Sequence, residues 1–84
     1  MTPFWRDGEA VSVVVADSRP ERFTWRRRVH HVAAISARWR THVAWWSERE
    51  MWRDYWEVAT DSGFLCVLFH DLSDLSWFLE RICE

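Results

Sequence analysis

Apolar and polar residues alternate with a period of two in short runs along this chain, and no helical period persists over a useful length, which restricts the fold to antiparallel β-structure. The alternation is clearest from Trp52. There Trp52, Asp54, Trp56, Val58 and Thr60 share one face of a strand, and Arg53, Tyr55, Glu57 and Ala59 share the other. Asp61-Ser62-Gly63 is a compact hairpin connection with Gly at its end, leading into Phe64–Phe69, which is apolar on both sides as a central strand requires. A turn at Asp71–Asp74 then precedes a last strand from about Ser76 to Ile82.

The first half reads less simply. Residues 1–9 form an irregular arm carrying Pro3 and Gly8, and Ala10–Ala16 is a Val-rich strand. Asp17-Ser18-Arg19-Pro20 reads as a turn, because Asp and Ser bond locally to backbone and Pro20 cannot donate to a ladder. A hairpin follows from Arg22 to Ile35. Its tip offers only Arg26-Arg27-Arg28 where a two-residue turn favours Gly or Asn, which leaves room for a wider loop. Ile35 is one residue out of phase with His30 and Val32, which predicts a β-bulge near Ala33-Ala34 that bends the strand. Thr41–Trp46 continues as strand, and Ser47–Glu50 is an exposed connection or a single helical turn capped by Ser47. The sum is five or six short strands in an all-β fold, a small antiparallel barrel or strongly curved meander of SH3-like kind spanning residues 10–84.

A chain of 84 residues holds one domain, and its small core must be dense in large side chains. Eight Trp meet that need; Trp25, Trp56 and Trp77 lie in alternating patterns that assign them to the core. Cys66 and Cys83 are far apart, and with no signal-like segment at the N-terminus they suggest a cytoplasmic protein with reduced thiols. No apolar run approaches the roughly 20 residues of a membrane-spanning helix.

All eleven basic residues are Arg. Charge is polarised along the chain: seven Arg against one Glu between Arg19 and Arg40, and nine acids against three Arg between Glu48 and Glu84. Such polarity marks a basic face for an anionic partner, or else two segments that neutralise each other across neighbouring strands. Trp and Arg are the side chains most enriched where partners bind most tightly. The interleaved set Arg26, Arg27, Arg28, Arg38, Trp39, Arg40, Trp45 and Trp46 is therefore the candidate binding surface, with Trp39 and one of Trp45 or Trp46 as its exposed aromatics. His30 and His31 point to opposite faces of a strand, and His42 and His70 stand alone, so no metal site or cofactor is expected. No nucleophile elbow, Gly-rich phosphate loop or HExxH occurs, and the chain does not read as an enzyme.

The runs Phe23-Thr24-Trp25-Arg26-Arg27-Arg28, Arg38-Trp39-Arg40, Trp45-Trp46, Tyr55-Trp56-Glu57-Val58 and Trp77–Ile82 resemble an uncharacterised bacterial family of short Trp/Arg-rich domains of unknown function. The family is found beside or fused to Y-family DNA-polymerase-like proteins. Its hairpin usually looks like Trp-Arg-Gly-Arg followed by an aromatic, where this chain has Arg27 and His30. The resemblance implies an accessory protein-docking module in bacterial DNA repair or translesion synthesis, with a DNA-polymerase-like or repair protein as partner. Direct binding of single-stranded nucleic acid by the Arg/Trp stretch 19–46 is the competing reading. An exposed strand edge could also pair two copies into a homodimer.

Overall fold

The computed structural model describes residues 8–43, 51–72 and 75–83. Six strands, β1 (Glu9–Ala16), β2 (Arg19–Trp25), β3 (Arg28–Val43), β4 (Met51–Thr60), β5 (Leu65–Asp71) and β6 (Ser76–Cys83), follow one another in a closed antiparallel meander. Each lies beside its sequence neighbour, and β1 closes the barrel on β6 through Glu9↔Leu79, Ala10↔Phe78 and Val11↔Trp77. The expected small all-β barrel is the observed fold, and no helix long and apolar enough to cross a membrane occurs among the described residues. Residues 1–7 and 44–50, with Trp45 and Trp46 and the expected Ser47–Glu50 connection, lie outside the described residues, as do Ser73 and Asp74.

Two local features differ from the sequence expectation. The turn after β1 is Asp17-Ser18 alone, and Arg19 and Pro20 belong to β2. Pro20 is tolerated because β2 pairs with β3 only from Arg22 onward and the β1–β2 register shifts beside its partner Val15, so no ladder bond is demanded of its nitrogen. The second difference is the tip of the β2–β3 hairpin. Trp25↔Arg28 closes the ladder, leaving a tight two-residue turn with Arg26 and Arg27 at φ 55° and 64°, the type I′ geometry that the absence of Gly or Asn argued against. Pairing on both flanks overrides the steric preference, and Asp17-Ser18 does the same at φ 54° and 63°.

The predicted bulge is present. The β3–β4 register shifts between Val32 and Ala34, and again between Ile35 and Ala37. These shifts bring Val32 and Ile35 into phase with the interior and turn β3 from its partner β2, which it pairs only over Arg28–His31, to β4, which it pairs from Val32 to Val43. Beyond the second shift, register runs unbroken from Arg38↔Trp56 to Val43↔Met51.

The interior is built from Phe23, Trp56, Val58, Cys66, Leu68 and Leu79, with Trp25, Trp77, Val11, Val13 and others packed against them. One end is plugged by His30, which stacks on Phe23 at 5.3 Å, meets Phe64 edge-on and bonds Ser62 Oγ through Nδ1 at 3.0 Å. Burial, and secondarily nearby Cys83, pushes the Cys66 thiol up to about 12, so it acts as a small apolar side chain rather than a nucleophile. Beside the middle of β6, Gly8 is required: a Cβ there would lie 2.6 Å from the Leu79 carbonyl oxygen.

β5 is covered on both faces, as its two-sided apolar sequence predicts. Val67 and Phe69 belong to a second cluster, with Tyr55, on the outer face. Trp39, Tyr55, Phe69 and Phe78 are direct register partners on four successive strands, with centroids 5.4, 5.2 and 5.0 Å apart, and form an aromatic ladder across the outside of the sheet. Its Trp39 end is 39% exposed.

The Arg26-Arg27 turn yields a test. Arg27→Gly removes the left-handed penalty of a side chain, offset in part by the extra freedom of Gly in the unfolded chain, and should raise stability by about 1 kcal/mol in urea denaturation. A loss of stability would show that the Arg27 side chain makes contacts that outweigh its backbone cost.

Candidate binding face

Strand alternation decides which candidates share a surface. Arg38 and Arg40 project to the inner side of the β3–β4 pair, whereas Trp39 projects outward onto Tyr55. The sequence triplet Arg38-Trp39-Arg40 is thus divided between two faces. Arg26 and Arg27 occupy the hairpin tip and Arg28 begins β3, ten residues before Arg38, so these groups sit at opposite ends of a long strand. Arg26 instead covers the Trp25 ring, its guanidinium 4.6 Å from the centroid.

What the inner face does assemble is a row spread over four strands. Arg40, Asp54, His70 and Trp77 are successive register partners on β3, β4, β5 and β6. Arg40 donates two hydrogen bonds to Asp54, from Nε to Oδ1 at 2.5 Å and from a terminal nitrogen to Oδ2 at 3.0 Å. Arg38 approaches the same carboxylate at 3.6 Å while its guanidinium lies 4.4 Å above the Trp56 ring. His70 stacks on Trp77 with centroids 4.3 Å apart and planes 3° from parallel. Two register positions nearer the β3–β4 connection, on the same face, His42 stacks on Trp52 at 4.4 Å, and Trp52 is 42% exposed.

The electrostatics follow from this arrangement. Hydrogen bonding from Arg40, aided by the charges of Arg40 and Arg38, holds the Asp54 carboxyl below its ordinary range despite the opposing effect of burial, and the same bond raises Arg40. Asp54 is buried, while both Arg side chains remain more than half exposed. The carboxylate therefore anchors two guanidinium groups in fixed positions and leaves their outer donors accessible, with a net charge near +1 for the trio. Here the basic and acidic halves of the chain do neutralise each other across neighbouring strands, in part.

Asp54, His42, Trp52, His70 and Trp77 were not among the sequence candidates for this surface. Trp52 and Asp54 carried a usable signal, since they share the face of Trp56; His70 and Trp77 are placed by pairings that neighbouring residues do not reveal. Among the described residues no group of three or more His, Cys, Asp or Glu gathers as a set of metal ligands.

Because the Asp54 pKa is lowered on folding, its contribution to stability is present above the ordinary carboxylate value of 3.8 and is lost as pH falls through the lower folded value. Asp54→Asn should accordingly be less stable than the parent protein at pH 7, with the difference shrinking in strongly acid solution. Urea midpoints at both pH values measure it, and a difference independent of pH would contradict the assignment.

No curated protein and no solved structure matches the chain significantly. Residues 5–84 match a family described as a Domain of unknown function (DUF6504), nearly the full length, and the chain belongs to that family.

Proposed function

We propose that this protein is a non-catalytic binding module whose inner sheet face docks a protein partner, within a bacterial DNA-repair or translesion-synthesis assembly. The observation that carries the reading is the pair of exposed guanidinium groups fixed by buried Asp54 and flanked by the His70/Trp77 and His42/Trp52 stacks. Pre-set Arg and Trp side chains lose little conformational freedom on association, and this is how small surfaces reach useful affinity. Asp54 is committed to two Arg partners with its carboxyl held ionised, a poor arrangement for proton transfer and a good one for positioning. The repair setting is supported by the Trp/Arg runs that resemble domains accompanying Y-family DNA-polymerase-like proteins.

Single-stranded nucleic acid is the second reading, favoured by one feature: exposed Trp52 lies beside Arg40 and offers a surface for a base. Against it, the arginines of the 19–40 stretch are spread over β2, the hairpin tip and both ends of β3, and the inner pair shares a counter-charge, so these arginines make no continuous track for a phosphate backbone.

Affinity capture from the native host, with Trp52→Ala and Arg38→Glu beside the parent protein, tests the proposal. A polymerase-like or repair protein should be enriched and then lost in both variants. Enrichment of no repair protein would contradict it, as would tight binding of a labelled oligothymidylate that weakens steeply with salt, with a slope near −0.7 per phosphate contact.

A further inference from the structure

β3 carries no acidic residue, and the 22–47 stretch around it has none either. From Val32 to Val43 it pairs with β4 on one side, and among the described residues no strand pairs with its other side. Backbone amides and carbonyls alternate in direction along a strand, so every second residue of this segment turns its polar groups toward that open edge. The register shifts at Val32/Ala34 and Ile35/Ala37 make the lower part of the edge irregular. Arg38 to Val43 is regular, six residues or about 20 Å of strand.

Two side-chain features converge at this regular stretch. The outer aromatic ladder ends at Trp39, which is 39% exposed and meets no further ring among the described residues; at its other end Phe78 pairs with Ala10. On the opposite face, Arg38 and Arg40 flank that position with half-exposed guanidinium groups anchored from behind by Asp54. A strand laid against β3 would place one side chain opposite Trp39 and its two neighbours opposite Arg38 and Arg40.

We propose that the open edge of β3 binds an extended acidic segment of the partner protein by β-strand addition, selecting an acidic–aromatic–acidic triplet. The aromatic residue extends the outer ladder by a fifth ring, and the two carboxylates meet Arg38 and Arg40 on the inner face. The same arginines disfavour a second copy of this chain: a two-fold pairing of β3 about Trp39 would set Arg38 opposite the second copy's Arg40, and like charges directly opposed destabilise a sheet. The inference rests on the docking reading and names what is docked.

Fluorescence anisotropy with labelled nine-residue peptides tests it on the full chain. The probes share a Ser/Thr/Val background and differ at the centre: Glu-Phe-Glu, Lys-Phe-Lys, and Glu-Phe-Glu with proline in place of both flanking valines. The first should bind, with the other two at least tenfold weaker, since charge fails in one and backbone pairing in the other. Arg38→Glu should reverse the preference between the Glu and Lys peptides, a gain that misfolding cannot produce, and Trp39→Ala should weaken the Glu-Phe-Glu peptide. Equal binding of the Glu and Lys peptides, retained binding of the proline peptide, or no binding at millimolar concentration would overturn the proposal. Failure of the peptides while a repair partner is still captured through Trp52 removes the edge and leaves the docking face. Peptide binding without any repair partner keeps the edge and removes the repair setting.

Discussion

The unbroken pairing of Arg38–Val43 with Met51–Trp56 is the constraint on which the rest of the surface depends. It places Arg40 opposite Asp54 and Arg38 opposite Trp56 on the inner face, and Trp39 opposite Tyr55 on the outer one. A slip of β3 by one residue would carry Arg38 and Arg40 to the outer face, away from Asp54 and Trp56, and bring Trp39 onto the inner one. Buried Asp54, bonded to Arg40 across the ladder, opposes such a slip, because in the wrong register it would be a buried carboxylate without its counter-charge. β5, apolar on both sides, then serves as the shared wall: Cys66 and Leu68 face the barrel interior while Val67 and Phe69 hold the outer ladder.

Much of this architecture could be read from the residues. Alternation from Trp52 to Thr60 gave the faces of β4, the two-sided apolar run gave β5, and the phase error at Ile35 located the bulge. At two places local propensity was outweighed by pairing. Arg26 and Arg27 accept left-handed backbone since strands on either side hold the turn closed, and Pro20 sits in β2 because its stretch of that strand lies beyond the pairing with β3. The candidate face was less accessible. Grouping by sequence adjacency put Arg38, Trp39 and Arg40 together, but adjacent residues on a strand point apart, and the true neighbours of Arg40 on its face come from β4, β5 and β6. Such a row follows only from register, and the 44–50 stretch between the two strands carries no Gly, Pro, Asn or Asp to signal a turn.

The two faces of the β3–β4 hairpin differ in chemistry. The inner one is polar and directional, with fixed guanidinium forks and stacked ring pairs. The outer one is apolar and ends in a half-exposed indole. Under the proposed docking, an acidic strand added to the edge between them would meet both at once. Arg on an exposed strand also discourages indiscriminate pairing of sheets.

Amide hydrogen exchange along β3, resolved residue by residue by NMR, tests the half-paired state of this strand most directly. Protection should alternate from Arg38 to Val43, slow for amides bonded to β4 and fast for those directed to the open edge. Uniform slow exchange would mean that the edge is already covered, and uniform fast exchange that the hairpin does not hold its register; either would contradict the account.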